Sequence, residues 1–565
     1  MHYKEHKMTA IQEANSVTLE QIQDFKGKYP KQLWYLFLSE MWERFSFYGM
    51  RGMLTIFMVE QLKLSDHDAN LQYGATQAFV YALAFIGGLF ADKVLGFRKS
   101  VFWGGILMII GSFTLAFSPH ELFYIGISIT IVGTGFFKPN ISTMVGQLYK
   151  AGDPRQDAGF GLFYSGINIG ALIGGALCIY VSSYSWNWAF SLAGIGMSLG
   201  LFIFIFTKRT LGPIGLSPLA GKMSVSKIRL YDIMVYVGSL LVIPLILLLV
   251  TKSAYTDDFM YTIGPVALLY IIYEIFRSGP VNEKQHSGAM VYTIVLVALT
   301  ALTIVANLKL LGLVLPFSAC ITADLVCIAY IFYGVFRYFN NTQQKIVVAL
   351  VFIIFSVFFW AFFEQAGGSL SLFARYNLHH DVLGLNIDPN AINNSSNSLF
   401  VIVLSPFVGL LWLWLSKWKL EPNTVVKFGL GFLFVSLAFY VFYYTRFFAD
   451  VKGLTSLNMF TLAYLVITLG ELCLSPISLS IMTKLSPQRL HGVMMGLLFL
   501  ASAYGQYAAG IFGADMSSTV PNASLTDKLM AYTEGYKGLS VYALVLGIAL
   551  IVLSPLIRKL MHEVH

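Results

Sequence analysis

Charged residues are scarce in this chain. They make up 12% of its 565 residues, whereas a typical soluble domain has about 25%. Hydrophobic residues reach 57% and the mean hydropathy is +0.69. A chain so poor in charge cannot cover a globular surface with polar groups, so its composition excludes an ordinary soluble protein and predicts one that is solvated largely by lipid.

Cysteine and the common catalytic motifs are also missing or sparse. The four cysteines (Cys178, Cys320, Cys327 and Cys473) all lie in apolar stretches without metal-ligand spacing, so we interpret them as small buried hydrophobic residues. The sequence contains no GxxxxGK[ST] phosphate loop, no GxSxG nucleophile elbow and no His/Cys cluster. We therefore expect neither an enzyme nor an ATP-driven pump, and no metal or organic cofactor.

Long apolar runs are abundant. Runs of about 20 residues, the length that crosses a bilayer as a helix, form a group of six, a group of about four and a second group of six. This pattern predicts an all-α membrane protein with two six-helix bundles and extra linker helices. The predicted divisions are an N-terminal segment (1–31), a first bundle (32–208), a linker (209–344), a second bundle (345–559) and a tail (560–565).

The net charge of +8 comes from lysines and arginines that cluster before the first run and in every second loop. Positive charge of this kind marks the cytoplasmic side of a membrane protein, so nucleic-acid binding is not indicated. We expect a multi-pass protein of the cytoplasmic (inner) membrane with both termini in the cytoplasm. The first 31 residues lack an apolar core, so no cleaved signal peptide is expected.

One apolar run nevertheless carries several charges. Between Ser39 and Arg51 the sequence reads SEMWERFSFYGMR. At about 100° per residue, Glu40, Glu43, Arg44, Tyr48 and Arg51 fall within an arc of about 140° on one helix face. Charge inside a bilayer is costly and usually functional, so we expect this face to line a polar cavity. The alternative is a static ion-pair network, which is a poor source of net stability.

Two isolated charges occur in other apolar runs, one in each half. Lys138 is followed directly by Pro139, and Glu471 precedes Pro476, so each lies where a proline disturbs helix hydrogen bonding. A substrate that is cationic at one end and anionic at the other would satisfy both side chains. Without such a substrate the two side chains could pair with each other, which we expect for part of a cycle and not as an alternative to binding.

The loop GGLFADKVLGFRKS (87–100) resembles the short cytoplasmic signature of the major facilitator superfamily, with Gly88, Asp92, Gly96 and Arg98 in the pattern. The two-by-six layout agrees with that resemblance. It implies the major facilitator fold, with Asp92 and Arg98 as a conformational latch.

Further motifs resemble those of the proton-dependent oligopeptide transporter family. They are ExxERFxxYG from Glu40, GTGFFKPN around Lys138, DAGFGLFYSGINIGA around Tyr164 and Asn168, FFWAFFEQAGGSLSLFA around Trp360 and Glu364, and LGELCLSP around Glu471. Phe47 departs from the pattern, because the family usually has a tyrosine there. The motifs extend over residues 40–515, outside the linker and both termini.

This resemblance implies a proton-coupled symporter that imports di- and tripeptides by alternating access, with protons, a short peptide and the lipid bilayer as its partners. Proton coupling is expected from Glu40, Glu43 and Arg44, and closure of the outer side from an Arg51–Glu364 pair. The expected substrate-binding residues are Arg44, Tyr48, Tyr81, Lys138, Tyr164, Asn168, Trp360, Asn397, Glu471 and Ser475. The alternatives are a relative that carries another small anion or a drug-like solute, and a non-transporting membrane receptor on the same fold.

Overall fold

A computed structural model describes residues 18–278, 288–299, 317–518 and 523–564, except 151 and 289. Side chains are not described for residues 317–325, 475–477, 479, 480, 483 and 488. Within these ranges the chain is almost wholly helical. Its β-structure there is a two-stranded antiparallel hairpin of Asp381–Val382 and Leu385–Asn386.

The long helices form three groups along the chain. After a short helix (Leu19–Gln23), the first group is α1 (Lys31–Glu60), α2 (Asp66–Phe90), α3 (Phe97–Phe117), α4 (Phe123–Gly146), α5 (Arg155–Ser182) and α6 (Trp186–Thr207). The linker group is α7 (Val225–Thr251), α8 (Ser253–Arg277) and α9 (Phe317–Tyr338). The last group is α10 (Asn341–Phe363), short α11 (Ser369–Asn377), α12 (Pro389–Lys417), α13 (Thr424–Tyr444), α14 (Leu457–Leu485), α15 (His491–Asp515) and α16 (Leu525–Met561).

Length and composition mark twelve helices of the described residues as able to cross a membrane. These twelve include the linker helices α7 and α8 but neither α1 nor α4. Helix α1 has 30 residues and α4 has 24, so both are long enough; polar residues lower the hydropathy of each. Those of α1 are turned inward, since Glu40 and Glu43 have no exposed surface. The predicted all-α membrane fold is confirmed.

Glycines draw the first-half helices together. A Cβ on Gly170 of α5 would lie 2.1 Å from the carbonyl oxygen of Met41 in α1, and one on Gly174 would lie 2.2 Å from that of Phe45. Helices in lipid associate through such close packing, because burial from water no longer drives them together. The α1–α5 contact therefore holds the charged face of α1 away from lipid.

The two halves meet closely on the side of the molecule opposite the start of α1. We call the side where α1 begins the N-terminal face. Helix α2 starts at the opposite face, and a Cβ on its Gly74 would lie 2.6 Å from Cα of Gly510 in α15. The halves are thus closed against each other at the opposite face.

The linker helices α7 and α8 form a hairpin that touches both halves. Helix α7 packs beside the first half, where Trp103 donates a hydrogen bond to the Ser239 hydroxyl (2.9 Å). Helix α8 packs on the second half, where the Gln343 side chain donates to the carbonyl of Ile275 (2.9 Å). The predicted apolar segments 288–308 and 313–338 fall partly outside the described residues, so the exact division of the linker stays a prediction.

Candidate functional site

Three charged side chains of α1 form a buried cluster. Nε of Arg44 lies 2.7 Å from a carboxylate oxygen of Glu40 and 3.1 Å from one of Glu43. Arg44 is 4% exposed and the two glutamates 0%. Oε2 of Glu40 and Oε1 of Glu43 have no hydrogen-bond partner among the described residues. Two buried carboxylates therefore share one guanidinium, and the Lys138 ammonium of α4 is the next cation that interacts electrostatically with Glu43.

Lys138 lies in α4, one position before the proline in that helix. Its ammonium sits 3.8 Å from the ring centre of Tyr81 in α2 and 5.6 Å from that of Phe47 in α1. A cation over an aromatic face is stabilised without being neutralised. The Lys138 ammonium interacts electrostatically with the Glu43 carboxylate, and the pairing with Glu471 that is expected for part of a cycle is not formed in this structure, where Glu471 is bound by Asn397.

Glu471 in α14 faces the first half. One of its carboxylate oxygens accepts a hydrogen bond from the Asn397 amide of α12 (2.7 Å), and the other lies 3.5 Å from the hydroxyl of Tyr164 in α5. The Asn168 amide donates to the backbone carbonyl of Tyr164 (3.0 Å) and so belongs to the same group. Glu471 is 7% exposed and Tyr164 38%. This acid therefore bridges the two halves next to an accessible aromatic side chain.

The remaining predicted substrate residues lie on the same inward-facing helices. Trp360 of α10 is half-buried against α15. A Cβ added to Gly505 of α15 would lie 2.5 Å from the Cβ of Trp360. Tyr48 of α1 is half-buried, with its ring 5.7 Å from the guanidinium of Arg51. Ser475 belongs to α14, but its side chain lies outside the described residues.

Arg51 and Glu364 form an ion pair between the two halves. Arg51 also donates through Nε to the Tyr73 hydroxyl of α2 (2.6 Å). Glu364 is at the end of α10, where the helix changes to the 3₁₀ turn Glu364–Gly367 before α11. Arg51 lies nearly two turns closer to the opposite face than Arg44, so the pair stands between the charged cluster and that face. Tyr73 belongs to none of the sequence motifs, so the sequence did not predict its contact with Arg51.

A second set of contacts between the halves lies closer still to the opposite face. Asp66 at the start of α2 pairs with Lys528 of α16 (3.0 Å) and accepts a hydrogen bond from the Tyr376 hydroxyl (2.9 Å). Glu60 at the end of α1 pairs with Arg375 of α11 (2.5 Å). The sequence did not indicate these residues, because charges at helix ends are expected in any membrane protein and carry no motif here.

The predicted latch of Asp92 and Arg98 is not formed. Arg98 instead donates to the carbonyl of Ile214 (2.6 Å) and to that of Gly212, while Asp92 is exposed in a π-helical turn. The cause lies at Gly96, whose φ of +77° turns the chain and whose missing Cβ lets the backbone of Leu216 and Ser217 approach, which brings the preceding carbonyls within reach of Arg98. The positions match the loop signature, but the fold directs Arg98 to a different partner.

Two helical bundles, opposite charges in facing halves and closure on one side define a membrane transporter of the major facilitator type. The sequence model of the POT family matches residues 98–256 and 318–531. The chain belongs to this family of transporters, the proton-dependent oligopeptide transporters.

Individual relatives agree over nearly the whole chain. The peptide transporter YePEPT of Yersinia enterocolitica is 31% identical over 555 residues, which is 95% of this chain and 96% of that protein. Dipeptide and tripeptide permease B of Aeromonas hydrophila is 28% identical, with 94% of each chain covered. A crystal structure of the peptide transporter POT in complex with sulfate superposes with a TM-score of 0.73 at 28% identity, covering 97% of this chain and 100% of that one. The major facilitator fold is thereby confirmed.

Proposed function

We propose that this protein is a proton-coupled symporter that imports di- and tripeptides across the cytoplasmic membrane, with both termini in the cytoplasm. The observation that carries the proposal is the separation of charge between the two halves. The cation Lys138 belongs to the first half, and the acid Glu471 belongs to the second. A free peptide presents the complementary pair of charges at its two ends.

The substrate would lie across the cavity between the halves. Its carboxylate would meet Lys138 and Arg44, since an ammonium and a guanidinium both bind carboxylates well. Its α-ammonium would meet Glu471, which Asn397 and Tyr164 already orient. Aromatic side chains such as Trp360 would contact the peptide side chains. An unmet buried charge costs several kcal/mol, about 3–5 when one partner of a pair is removed, so recognition should be strict for the termini and broad for side chains.

The two buried acids of the α1 cluster supply the coupling. When a substrate carboxylate draws Arg44 away, Glu40 and Glu43 lose the one guanidinium that they share. The substrate carboxylate would also occupy Lys138, the other cation that interacts with Glu43, so uptake of a proton by either acid then removes an uncompensated buried charge. Binding of substrate and binding of a proton thus favour each other, and the inward proton gradient can drive the cycle, at about 2.3 kcal/mol per charge per 100 mV.

Alternating access follows from the contacts between the halves. With the N-terminal face in the cytoplasm, the Arg51–Glu364 pair closes the outer side. Opening that side requires the two halves to separate there, which breaks the pair. With the halves in contact at this side, release of substrate there would first require the pair to break, which supports release toward the cytoplasm as the next step of the cycle.

Uptake into proteoliposomes tests the proposal. Labelled dialanine should accumulate when the outside is acidified, and a proton ionophore should abolish the accumulation. Unlabelled dialanine should compete, whereas N-acetyl-dialanine, dialanine amide and single amino acids should compete poorly. A protein that binds dialanine without moving it would be a receptor. Equal competition by N-acetyl-dialanine would refute the assignment of Glu471 to the ammonium and favour another class of small anion as substrate.

A further inference from the structure

An apolar groove lies between the first half and the linker helix α7. Its volume is about 460 Å³. Helices α2 and α4 form one wall, and α7 forms the other. Representative lining residues are Leu83, Phe90, Phe136, Met234 and Val242.

The groove provides almost no free hydrogen-bonding groups for a polar ligand. Among the lining residues, Ser239 has a hydroxyl that accepts from Trp103 (2.9 Å) and donates to the carbonyl of Tyr236 (2.7 Å). The hydroxyl of Ser239 therefore already has both kinds of hydrogen-bond partner. Tyr231 stands at the end of the groove nearest the N-terminal face. A peptide or another solute with charged groups would lose its hydration here without replacement, so the groove is no second substrate site.

The length of the groove matches one leaflet of a bilayer. Along α7 its lining extends from Tyr231 to Val242, which corresponds to about 16 Å of helix at 1.5 Å per residue. The hydrocarbon core of a bilayer is about 30 Å thick, so one leaflet contributes about 15 Å. Since α7 begins at the N-terminal face, the groove runs from that membrane surface to about the midplane, as one acyl chain does.

Two cations stand at the mouth of the groove. Lys93 is exposed and directly precedes Val94, a lining residue. Lys227 is exposed and lies one helical turn before Tyr231. Among the described residues neither lysine forms an ion pair, whereas nearby Lys99 is paired with Asp232 (2.5 Å). The exposed carboxylate of Asp92 interacts with Lys93, so the three lysines (Lys93, Lys99 and Lys227) face two carboxylates (Asp92 and Asp232) and the region keeps a positive charge. Positive charge at the membrane surface favours an anionic headgroup.

We propose that this groove binds an acyl chain of one anionic phospholipid from the leaflet at the N-terminal face, with the headgroup at Lys93 and Lys227. The lipid fills the space between the linker helix and the first half and so joins them. The groove wall of α2 and α4 is built from helices that also carry the candidate transport site, since Leu83 is two residues from Tyr81 and Phe136 is two residues from Lys138. The inference is independent of what the protein transports, because binding of the lipid can be measured without substrate.

Gly238 provides the variant that tests the acyl-chain site. This glycine lines the groove, and a Cβ added to it would meet no heavy atom within 4 Å. Gly238→Phe should therefore fill the groove without displacing the helix. Gly409 in α12 is a matched control, because it is exposed, lies within a long helix and also has no heavy atom within 4 Å of an added Cβ.

Native mass spectrometry of the full-length protein would report the lipid. After purification from vesicles of phosphatidylglycerol and phosphatidylcholine in equal parts, the unmodified protein and Gly409→Phe should retain one phosphatidylglycerol. Gly238→Phe should retain about tenfold less, which corresponds to about 1.4 kcal/mol. Gly238→Leu, a smaller filler, should lose less, and guards against a folding defect of the larger variant. Undiminished retention by Gly238→Phe would overturn the proposal, as would an unmodified protein that retains no lipid.

The proposed headgroup site is tested by removing the charges of its two lysines. Lys93→Gln/Lys227→Gln should abolish the preference for phosphatidylglycerol over phosphatidylcholine while leaving a bound lipid. The matched control is Lys417→Gln/Lys419→Gln, which removes two exposed lysines elsewhere and should preserve the preference. A preference that survives in the first pair, or that is equally lost in the second, would contradict the assignment of the anionic headgroup to Lys93 and Lys227.

Discussion

The ion pair between Arg51 and Glu364 offers the sharpest test of how the two halves move. Arg51 is 8% exposed and Glu364 4%, and the pair joins the halves on the side that the structure closes. Arg51→Gln leaves the carboxylate of Glu364 without its counter-ion. Glu364→Gln leaves the Arg51 guanidinium with the Tyr73 hydroxyl alone. Each single change should therefore destabilise closure at this face, which is the outer side in the proposed orientation.

The expected magnitude follows from burial. Removing one partner of a buried pair costs about 3–5 kcal/mol, chiefly because the other charge is left uncompensated. Opening the outer side hydrates that charge and relieves most of the cost. At about 1.4 kcal/mol per factor of ten, a shift of 3 kcal/mol moves the ratio of outward-open to closed molecules by about 150-fold, enough to change the dominant state.

Distances between spin labels on the outer loops would measure this shift. Glu121, in the α3–α4 loop, and Leu383, in the α11–α12 hairpin, belong to opposite halves and are exposed. Labels at Glu121→Cys and Leu383→Cys, in a background lacking the four native cysteines, should move apart in either single variant. Dialanine uptake per inserted protein should fall in parallel.

The exchanged variant Arg51→Glu/Glu364→Arg supplies the control. It restores opposite charges but not the hydrogen bond to Tyr73, so both the label distance and uptake should recover in part. Effects of the single changes that simply add, to within about 0.5 kcal/mol, would refute a direct contact. Unchanged label distances in both single variants would refute the role of the pair in closure.

Three further predictions follow from the other charges. Glu43→Gln should abolish uptake driven by a pH gradient yet retain exchange of labelled for unlabelled dialanine. Full gradient-driven uptake in both Glu43→Gln and Glu40→Gln would contradict proton coupling at this cluster. Glu471→Gln should raise the KM for dialanine by about 100-fold, since a buried ammonium without its partner costs about 3 kcal/mol. Competition by N-acetyl-dialanine, which has no ammonium, should stay unchanged. An equal change for both compounds would argue against an ammonium site. Asp66→Asn should increase the distance between the same two spin labels, because Lys528 loses its ion pair. The control Asp381→Asn, a change in an exposed loop, should leave that distance unchanged. Indistinguishable distances in these two variants would exclude a closing role for Asp66.

The sequence by itself determined the class of the protein and the chemistry of its first helix. Apolar length and scarcity of charge require helices in lipid, because backbone groups there must be satisfied within each segment. The charged face of α1 was predictable because helical periodicity places its residues whatever they later contact. Lys138 and Glu471 were conspicuous because charge is rare in such segments. The motif resemblance then identified the family, and a match to the family over most of the chain agrees with it.

Only the tertiary structure decided the partners. The Tyr164 hydroxyl meets Glu471 across 307 residues of sequence, and Lys528 meets Asp66 across 462. Such contacts depend on how whole helices are packed, which in this protein is set by glycine contacts such as Gly74 against Gly510. Arg98 likewise binds carbonyls of the 212–214 segment rather than Asp92. A local pattern specifies which side chains share a helix face, but the close approach of distant backbones selects which faces meet.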